Sequence, residues 1–340
     1  MSLALQYAGL RIYKARVRRP AWQDNAPKTQ SGKDTYRIAA KHAPDFSRAF
    51  RAAVRAMLPE DMPKPFREAV DTQSSVDAYK VVEDTISEGL EKFEAALLRE
   101  YEKVINESGD ATYRDLNKQL GTNLGFEIAK GKKQIPRPMS PAVRAAAARM
   151  LVPVNPYSKE WMKKQSTKLI RYVREQQAQT IQNVLSAGFE KGLRPELVYD
   201  DIKANIGLTP RDAGAVARRK ELLTEQGYSR AETVALAAKY RDQLLDLRAE
   251  MIGRTETISA QAQGRLDAWK VAEESGQLKG VVREWVSAPP GPPGRPCELC
   301  LNGMNGKQAE IGGSYESEEG PVERPPLHTG CRCTEILVRV

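Results

Sequence analysis

The sequence predicts a mainly α-helical protein, in which long amphipathic helices form a bundle that carries a small C-terminal α+β knob. The knob is expected to be built on a short β-hairpin or sheet and a Cys/His cluster. Three observations predict this fold class. Of the 340 residues, 29% are charged and only 6% are aromatic; apolar residues recur at helical spacing through most of the chain; and all four cysteines fall in the last 44 residues.

The N-terminal segment is strongly basic. Residues 1–60 carry twelve Lys or Arg and four Asp or Glu, within a chain of net charge +9. We expect residues 1–43 to form an irregular basic arm, since little in them can bury apolar surface. The arm could contact nucleic acid or an acidic protein surface, because Lys and Arg neutralise phosphates and carboxylates; the alternative is a solvated tail. The candidate contact residues are Lys14, Arg16, Arg18 and Arg19.

Residues 44–156 are predicted to form a helical N-terminal domain. A short helix should begin at Asp45, because apolar residues recur every three or four positions until prolines end the pattern near Pro59. A much longer amphipathic helix, which Ser74 and Ser75 can cap, should follow and end near Ser108 and Gly109.

Weaker signals fill the rest of this domain. A helix with a weaker amphipathic pattern is expected over residues 112–130, followed by a basic, proline-containing linker. Ser140 and the proline after it form a good helix start, and that helix should end by Pro153. The domain boundary is placed just after it.

Residues 157–340 should form a second helical region that ends in the knob over residues 281–340. The patterns predict a long helix over Ser158–Lys191, a short one over Pro195–Asn205, and another that starts at Thr209.

A capping box predicts the start of the next helix. Ser229 and Glu232 are spaced so that each side chain can bond the other residue's free backbone amide. The helix is expected to run to about Glu250. Apolar spacing continues beyond it, but Gly253 and the threonines that follow are expected to interrupt the helix.

The pattern changes near the C-terminus. The segments VVREWVSA (281–288) and EILVRV (335–340) are short and rich in β-branched residues, which favours two strands with the cysteine loop between them.

The Cys/His cluster is the sharpest chemical signal in the chain. A Cys-x-x-Cys and a His-x-x-Cys-x-Cys bracket one loop, and thiolates and imidazoles are the ligands that tetrahedral zinc prefers. Filling all four positions with protein leaves no place for water, which predicts a structural zinc ion rather than a catalytic one. The candidate ligands are Cys297, Cys300, His328, Cys331 and Cys333.

Two alternatives to a metal site stay open, namely reduced free thiols and a disulfide. The loop between Cys300 and His328 contains five glycines and no convincing apolar core. We therefore expect a cross-link of some kind to be needed to close it.

Signals for other function classes are scarce. No stretch approaches the roughly 18 uncharged apolar residues that a membrane helix needs, and the start of the chain lacks the features of a secretory signal. There is no P-loop, no GxGxxG and no HExxH. His42, the second of two histidines, has no evident nucleophile partner. Arg254, Thr255 and Glu256 form a polar cluster within an apolar seam, where a structural ion pair or cap is favoured over a catalytic glutamate.

Four segments in order, IGRTETISAQAQGRLDAW, REWVSA, CELCLNGMNGK and PPLHTGCRC, resemble the Mu F-like head morphogenesis proteins, which are minor capsid proteins of tailed phages. The resemblance is densest from Tyr240 to Cys333 and extends weakly back to Ser158. The matching motif positions are Arg254, Thr255, Glu256, Trp285, Cys297, Cys300, His328, Cys331 and Cys333.

The resemblance implies a virion protein inside the capsid near the portal vertex, present in the host cytoplasm during assembly. Its implied partners are the portal protein, with scaffold or major capsid protein and packaged DNA as further candidates, and no membrane. The implied role is to aid procapsid assembly, with DNA packaging or ejection as a further possibility, and no enzymatic activity is expected.

Two alternative functions remain at this point. One is an enzyme, of the nuclease or transferase type, that uses Glu256. The other is a zinc-knuckle protein that binds nucleic acid through the cysteine loop; the excess of glutamates in residues 301–325 counts against it, because an acidic surface repels phosphate.

Overall fold

The computed structural model describes residues 30–120, 156–274, 276, 278–288, 298–318 and 320–340. Within these ranges the chain is mainly helical and ends in a small antiparallel sheet, which confirms the predicted fold class. The helices are α1 Gln30–Ala56, α2 Lys64–Asp71, α3 Ser75–Leu120, α4 Pro156–Glu190, α5 Pro195–Asn205, α6 Pro210–Glu225, α7 Arg230–Glu274 and α8 Glu298–Gly303. The strands are β1 Val281–Val286, β2 Gln308–Ala309, β3 Tyr315–Ser317, β4 Gly320–Val322 and β5 Thr334–Arg339.

The chain forms two compact units, to which the long helices contribute separate segments. The knob unit consists of the described residues within Met1–Pro44, Glu100–Met162 and Gly253–Val340, and the helical unit consists of those within Asp45–Arg99 and Lys163–Ile252. The predicted boundaries at residues 43 and 156 stay a prediction. Residues 121–155, with the helix expected after Ser140, lie outside the described residues.

The first described helix corrects one expectation. Residues 30–43 were expected to be irregular, yet α1 is helical from Gln30 through Pro44 to Ala56. In the knob unit the apolar side chains of this segment are buried, with Tyr36 and Ala39 packed against Ile258 of α7. Polar and charged residues lie between the apolar ones in this segment, so the sequence pattern did not indicate that one face of it would be buried.

Helix α3 continues through the expected stop at Ser108 and Gly109 to Leu120. Ser108 Oγ donates a 2.8 Å hydrogen bond to the carbonyl of Gln261 on α7. A methyl group on Gly264 of α7 would lie 2.5 Å from the carbonyl oxygen of Ile105. These small residues therefore allow α3 and α7 to approach closely, and they do not end a helix.

Helix α7 is also longer than expected, running to Glu274 without an interruption. The capping box at its start is confirmed: the Glu232 amide donates to Ser229 Oγ, and the Ser229 amide donates to the Glu232 carboxylate. Further along, the Thr257 hydroxyl donates a 2.7 Å bond to the carbonyl of Gly253. Because that hydroxyl is satisfied within the helix, a mid-helix threonine is tolerated.

The predicted middle helices are confirmed as α4, α5 and α6, and the bounds of α5 coincide with the expectation. Thr209 caps α6, since its side chain accepts a hydrogen bond from the amide of Asp212. Within the described ranges, no helix combines the length and the apolar character that crossing a membrane would need.

Both predicted C-terminal strands are present and pair with each other. The three-stranded sheet has the order β2-β1-β5, with antiparallel pairing that places Trp285 opposite Glu335 and Arg283 opposite Leu337. Strands β3 and β4 form a separate hairpin. Helix α8 and this hairpin both lie in the segment between β1 and β5, so the sheet is the base from which the cysteine loop is displayed.

Candidate metal centre

Cys300 lies on the short helix α8, and its backbone is tightly held. Its carbonyl accepts hydrogen bonds from the amides of Met304 and Asn305 at 3.1 and 3.0 Å and from Ser287 Oγ at 2.6 Å. The Asn305 side chain in turn accepts from the Ser287 amide. The backbone of Cys300 is therefore fixed to the residue that follows β1.

The second half of the cluster is a tight turn from His328 to Cys331, closed by a 3.0 Å bond from the Cys331 amide to the His328 carbonyl. His328 Nδ1 lies 3.0 Å from the carbonyl oxygen of Thr329. A carbonyl can only accept, so Nδ1 carries the proton and, in the neutral ring, Nε2 presents a lone pair. A hydrogen bond of this kind from the distal ring nitrogen is the usual support of a metal-binding histidine.

These elements bring three of the five predicted ligands together. Cys300 Sγ lies 3.3 Å from His328 Nε2 and 3.8 Å from Cys331 Sγ, and all three ligand atoms lie within 4.8 Å of one another. Both cysteines are buried, whereas His328 is half-buried. Neither forms a disulfide. The three side chains form a cluster that could hold a metal ion.

The other two predicted ligands differ in status. Cys297 lies outside the described residues. Cys333 is buried just before β5 and is not part of the three-residue group. Hydrogen bonding from the thiols of Cys300 and Cys333 nevertheless lowers the pKa of Cys331 well below its ordinary value. Cys333 therefore influences the pKa of Cys331 although it does not belong to the three-residue group.

The cluster rests on an apolar floor that the sequence did not predict. The Trp285 and Tyr315 rings meet edge to face with centroids 5.3 Å apart, and both are fully buried with Met304 and the cysteines. The expectation that the loop between Cys300 and His328 has no core was wrong. Tyr315 and Met304 both come from that loop. Because the loop contains many glycines, its sequence did not indicate that these two side chains would be buried.

A fully buried arginine, Arg283, organises the same loop. Its guanidinium donates to the carbonyls of Glu310, Gly313 and Glu323 at 2.5–3.0 Å and to the Glu335 carboxylate at 3.0 Å. It also lies 5.0 Å from the centre of the Tyr315 ring. Sequence reasoning missed this residue; its two-residue spacing from Trp285, which puts both on one strand face, was the available signal.

A second buried arginine, Arg265 of α7, links the sheet to α1. It donates 2.7 Å hydrogen bonds to the hydroxyls of Thr334 on β5 and Thr35 on α1. Nearby on α7, Asp267 accepts from Ser158 and Gln263. Apart from the bond between Gln263 and Asp267, these contacts join residues far apart in the chain, so the sequence pattern could not indicate them.

The arginine-threonine-glutamate motif lies beside the cluster on α7. Thr255 Oγ1 accepts a 2.9 Å hydrogen bond from the amide of Gly330, within the turn that ends at Cys331. Glu256 is 4% exposed and accepts a 2.5 Å bond from the Tyr101 hydroxyl. Burial, and then the charge of Glu256, raise the pKa of Tyr101 well above its ordinary value. Arg254 is half-buried on the same helix.

The remaining candidates lie elsewhere. Lys14, Arg16, Arg18 and Arg19 are outside the described residues. His42 is buried on α1, with Nε2 2.9 Å from Glu107 Oε2. Although burial raises the pKa of Glu107, hydrogen bonds from Lys41, His42 and Arg37 lower it to about 2.

Comparison with known proteins identifies no relative. Neither a protein-family model, nor a curated protein, nor a solved structure matches the chain. The functional argument therefore depends on the site itself.

Proposed function

We propose that this chain is a minor capsid protein of a tailed phage, a head morphogenesis component of the virion that binds the portal vertex from inside the head. It aids procapsid assembly and does not catalyse a reaction. Its C-terminal knob is held together by a structural zinc ion.

One observation carries the proposal. The motifs that resemble the Mu F-like proteins are separated by up to about 80 residues, yet they converge: Thr255 of the helical motif bonds the amide of Gly330, next to Cys331. Trp285 of the strand motif packs in the same cluster as Cys300 and Cys331. Convergence of this kind supports the interpretation that the motifs describe one folded module and are not independent coincidences.

The geometry of the cluster supports zinc as the ion. Two thiolates bound to zinc at about 2.3 Å and at the tetrahedral angle lie about 3.8 Å apart, and a thiolate and an imidazole nitrogen lie about 3.5 Å apart. The observed separations from Cys300 Sγ are 3.8 Å to Cys331 Sγ and 3.3 Å to His328 Nε2. A disulfide would need sulfurs about 2.05 Å apart. Cys333 and Cys297 are the candidates for the fourth position, and a fourth protein ligand makes the ion structural.

The environment of Glu256 supports a non-catalytic role. Its carboxylate is buried and accepts from the equally buried Tyr101 hydroxyl. A general acid or base must reach the substrate within hydrogen-bond distance, and a carboxylate packed between two helices is placed for a structural bond.

The test is the protein composition of purified procapsids and virions, measured by quantitative mass spectrometry against the portal protein. We expect this chain in both particles, at a few copies per portal ring, and we expect it to co-purify with isolated portal rings. Absence from both particles would overturn the proposal. A nuclease or transferase activity that Glu256→Gln abolishes would replace it with the enzyme alternative.

A further inference from the structure

A cleft of about 500 Å³ lies within the helical unit, beside the last turns of α1 and α5 and the middle of α7. Four of its lining side chains are aliphatic, and we call them the floor: Val54 and Ile206 are buried, and Leu58 and Leu245 are half-buried. Clefts of this volume are in the range that binds compact ligands in proteins. The floor can take an apolar group of a few carbon atoms.

The rim of the cleft is cationic. Four positively charged side chains line it, whereas two carboxylates, Asp242 and Asp246, offset them. Both carboxylates are largely exposed, so their pairs with neighbouring arginines are weakened by solvent. The four cations are Arg51, Arg55, Lys203 and Arg241.

Two of these cations keep their charge available. Lys203 Nζ donates a 2.7 Å bond to the backbone carbonyl of Glu60, which holds the ammonium in place without neutralising it. Arg55 is exposed and makes no hydrogen bond or ion pair with any residue that the structure describes. The cleft therefore presents a positive edge above an aliphatic floor.

We propose that this cleft binds a peptide segment of a partner protein in which an aliphatic side chain lies next to acidic ones. The aliphatic side chain fills the floor and the carboxylates bond Arg55 and Lys203. Charge-assisted bonds from a guanidinium to a carboxylate are among the stronger contacts available at a surface.

The lining argues against nucleic acid as the occupant. Single strands are held by stacking bases on aromatic side chains, and the described residues that line the cleft include no aromatic one. A duplex is bound by protein elements that enter its grooves, which a concave surface cannot do, and the aliphatic floor has no group that bonds phosphate. The proposal goes beyond the phage role and does not depend on it.

The experiment measures fluorescence anisotropy of three labelled peptides with the full chain. The first alternates Glu and Leu, the second replaces every Leu by Ser, and the third replaces every Glu by Lys. We expect the Glu/Leu peptide to bind at least about tenfold more tightly than either of the others, since it alone satisfies both rim and floor. The Glu/Ser peptide isolates non-specific attraction to the basic N-terminal residues.

Two variants locate the binding. Arg55→Glu should weaken binding of the Glu/Leu peptide by about tenfold, whereas Arg218→Glu, an exposed residue of α6 outside the cleft with the same charge change, should leave it unchanged. Leu58→Ser should also weaken it. Circular dichroism checks that each variant is folded.

Three results would overturn the proposal. One is equal affinity for the Glu/Leu and Glu/Ser peptides. Another is an equal effect of Arg55→Glu and Arg218→Glu. The third is tight binding of a DNA oligonucleotide that Arg55→Glu abolishes, which would reassign the cleft to nucleic acid.

Discussion

The two units of the molecule are stabilised by different means. The core of the helical unit is largely apolar and aromatic: Phe50 meets Phe93 with ring centroids 5.6 Å apart, and Phe66 meets Tyr199 at 5.3 Å. Its buried Arg248 bonds the carbonyl of Gly207, and burial lowers the pKa of Arg248 to about 10.

The knob unit has several apolar clusters of its own, and in addition it buries a network of charges. Arg283 and Glu335 are both fully buried and paired, and Arg265 and Asp267 are buried on α7. Besides the apolar cluster around Trp285 and Tyr315, the loop between β1 and β5 is fixed by directed bonds from Arg283 to its main chain. Removing one partner of such a network leaves the other partner's polar group buried without that bond, which costs more than the lost contact alone.

The largest expected effect is loss of the metal. His328→Gln and Cys300→Ser should each reduce bound zinc from about one ion per chain to near zero, because each removes a ligand from the three-residue cluster. Structural zinc sites contribute about 10–16 kcal/mol of binding free energy at neutral pH. The measurement is elemental analysis of protein purified under reducing conditions.

The matched control for zinc is His42→Gln, which changes the other histidine and should leave the ion in place. A wild-type chain without metal would contradict the prediction. Equal loss from His42→Gln and His328→Gln would do the same.

The second effect is on the buried ion pair. Arg283→Met should lower the free energy of unfolding by about 3–5 kcal/mol, because it removes the buried guanidinium that pairs with the buried Glu335 carboxylate. Adding Glu335→Leu should recover only part of that loss, because the loop carbonyls that Arg283 bonds remain without their donor. Urea unfolding followed by tryptophan fluorescence measures both.

In the helical unit, Lys92→Met removes an exposed partner of Glu88 and should leave the free energy of unfolding almost unchanged. If Arg283→Met were as mild as Lys92→Met, the expected difference between a buried and an exposed ion pair would not hold.

A third effect tests the close approach of α3 and α7 in the knob unit. Gly264→Ala should destabilise by about 1–3 kcal/mol, because its methyl group would lie 2.5 Å from the backbone oxygen of Ile105. Gly109→Ala, whose methyl group would meet the Gly264 carbonyl at 3.7 Å, should be neutral or stabilise by up to about 1 kcal/mol. Thermal unfolding distinguishes the two; the reverse order would mean that the helices are further apart.

The smallest effect concerns Glu107, which is partly exposed. Its pKa of about 2 lies below the ordinary value of 4.5, so its contribution to stability is present above pH 4.5 and is lost as the pH falls towards 2. Wild type should therefore melt slightly above Glu107→Gln at pH 7, and the difference should vanish near pH 2. A difference that grows on acidification would have the wrong sign.

What the sequence could predict follows the division between local and distant contacts. The capping box at Ser229, the bounds of α5 and the positions of β1 and β5 each depend on residues close in the chain, and all were predicted. The stops expected at Gly109 and Gly253 were wrong because each position is decided by a neighbouring helix or by a bond within the helix.

The site divides in the same way. The spacing of the Cys-x-x-Cys and His-x-x-Cys-x-Cys motifs predicted Cys300, His328 and Cys331 as ligands. The buried pairs of Arg283 and Arg265 could not be predicted, because their partners come from segments up to about 230 residues away and charged residues are ordinarily exposed.

The way in which Arg283 holds its loop bears on how this segment can change during evolution. The guanidinium contacts the main-chain oxygens of Glu310, Gly313 and Glu323 and not their side chains. Every amino acid supplies the same oxygen, so substitutions along the loop can alter its outward charge while its path is retained. A lineage could thus adapt the exposed face to a new neighbour without rebuilding the base that carries it.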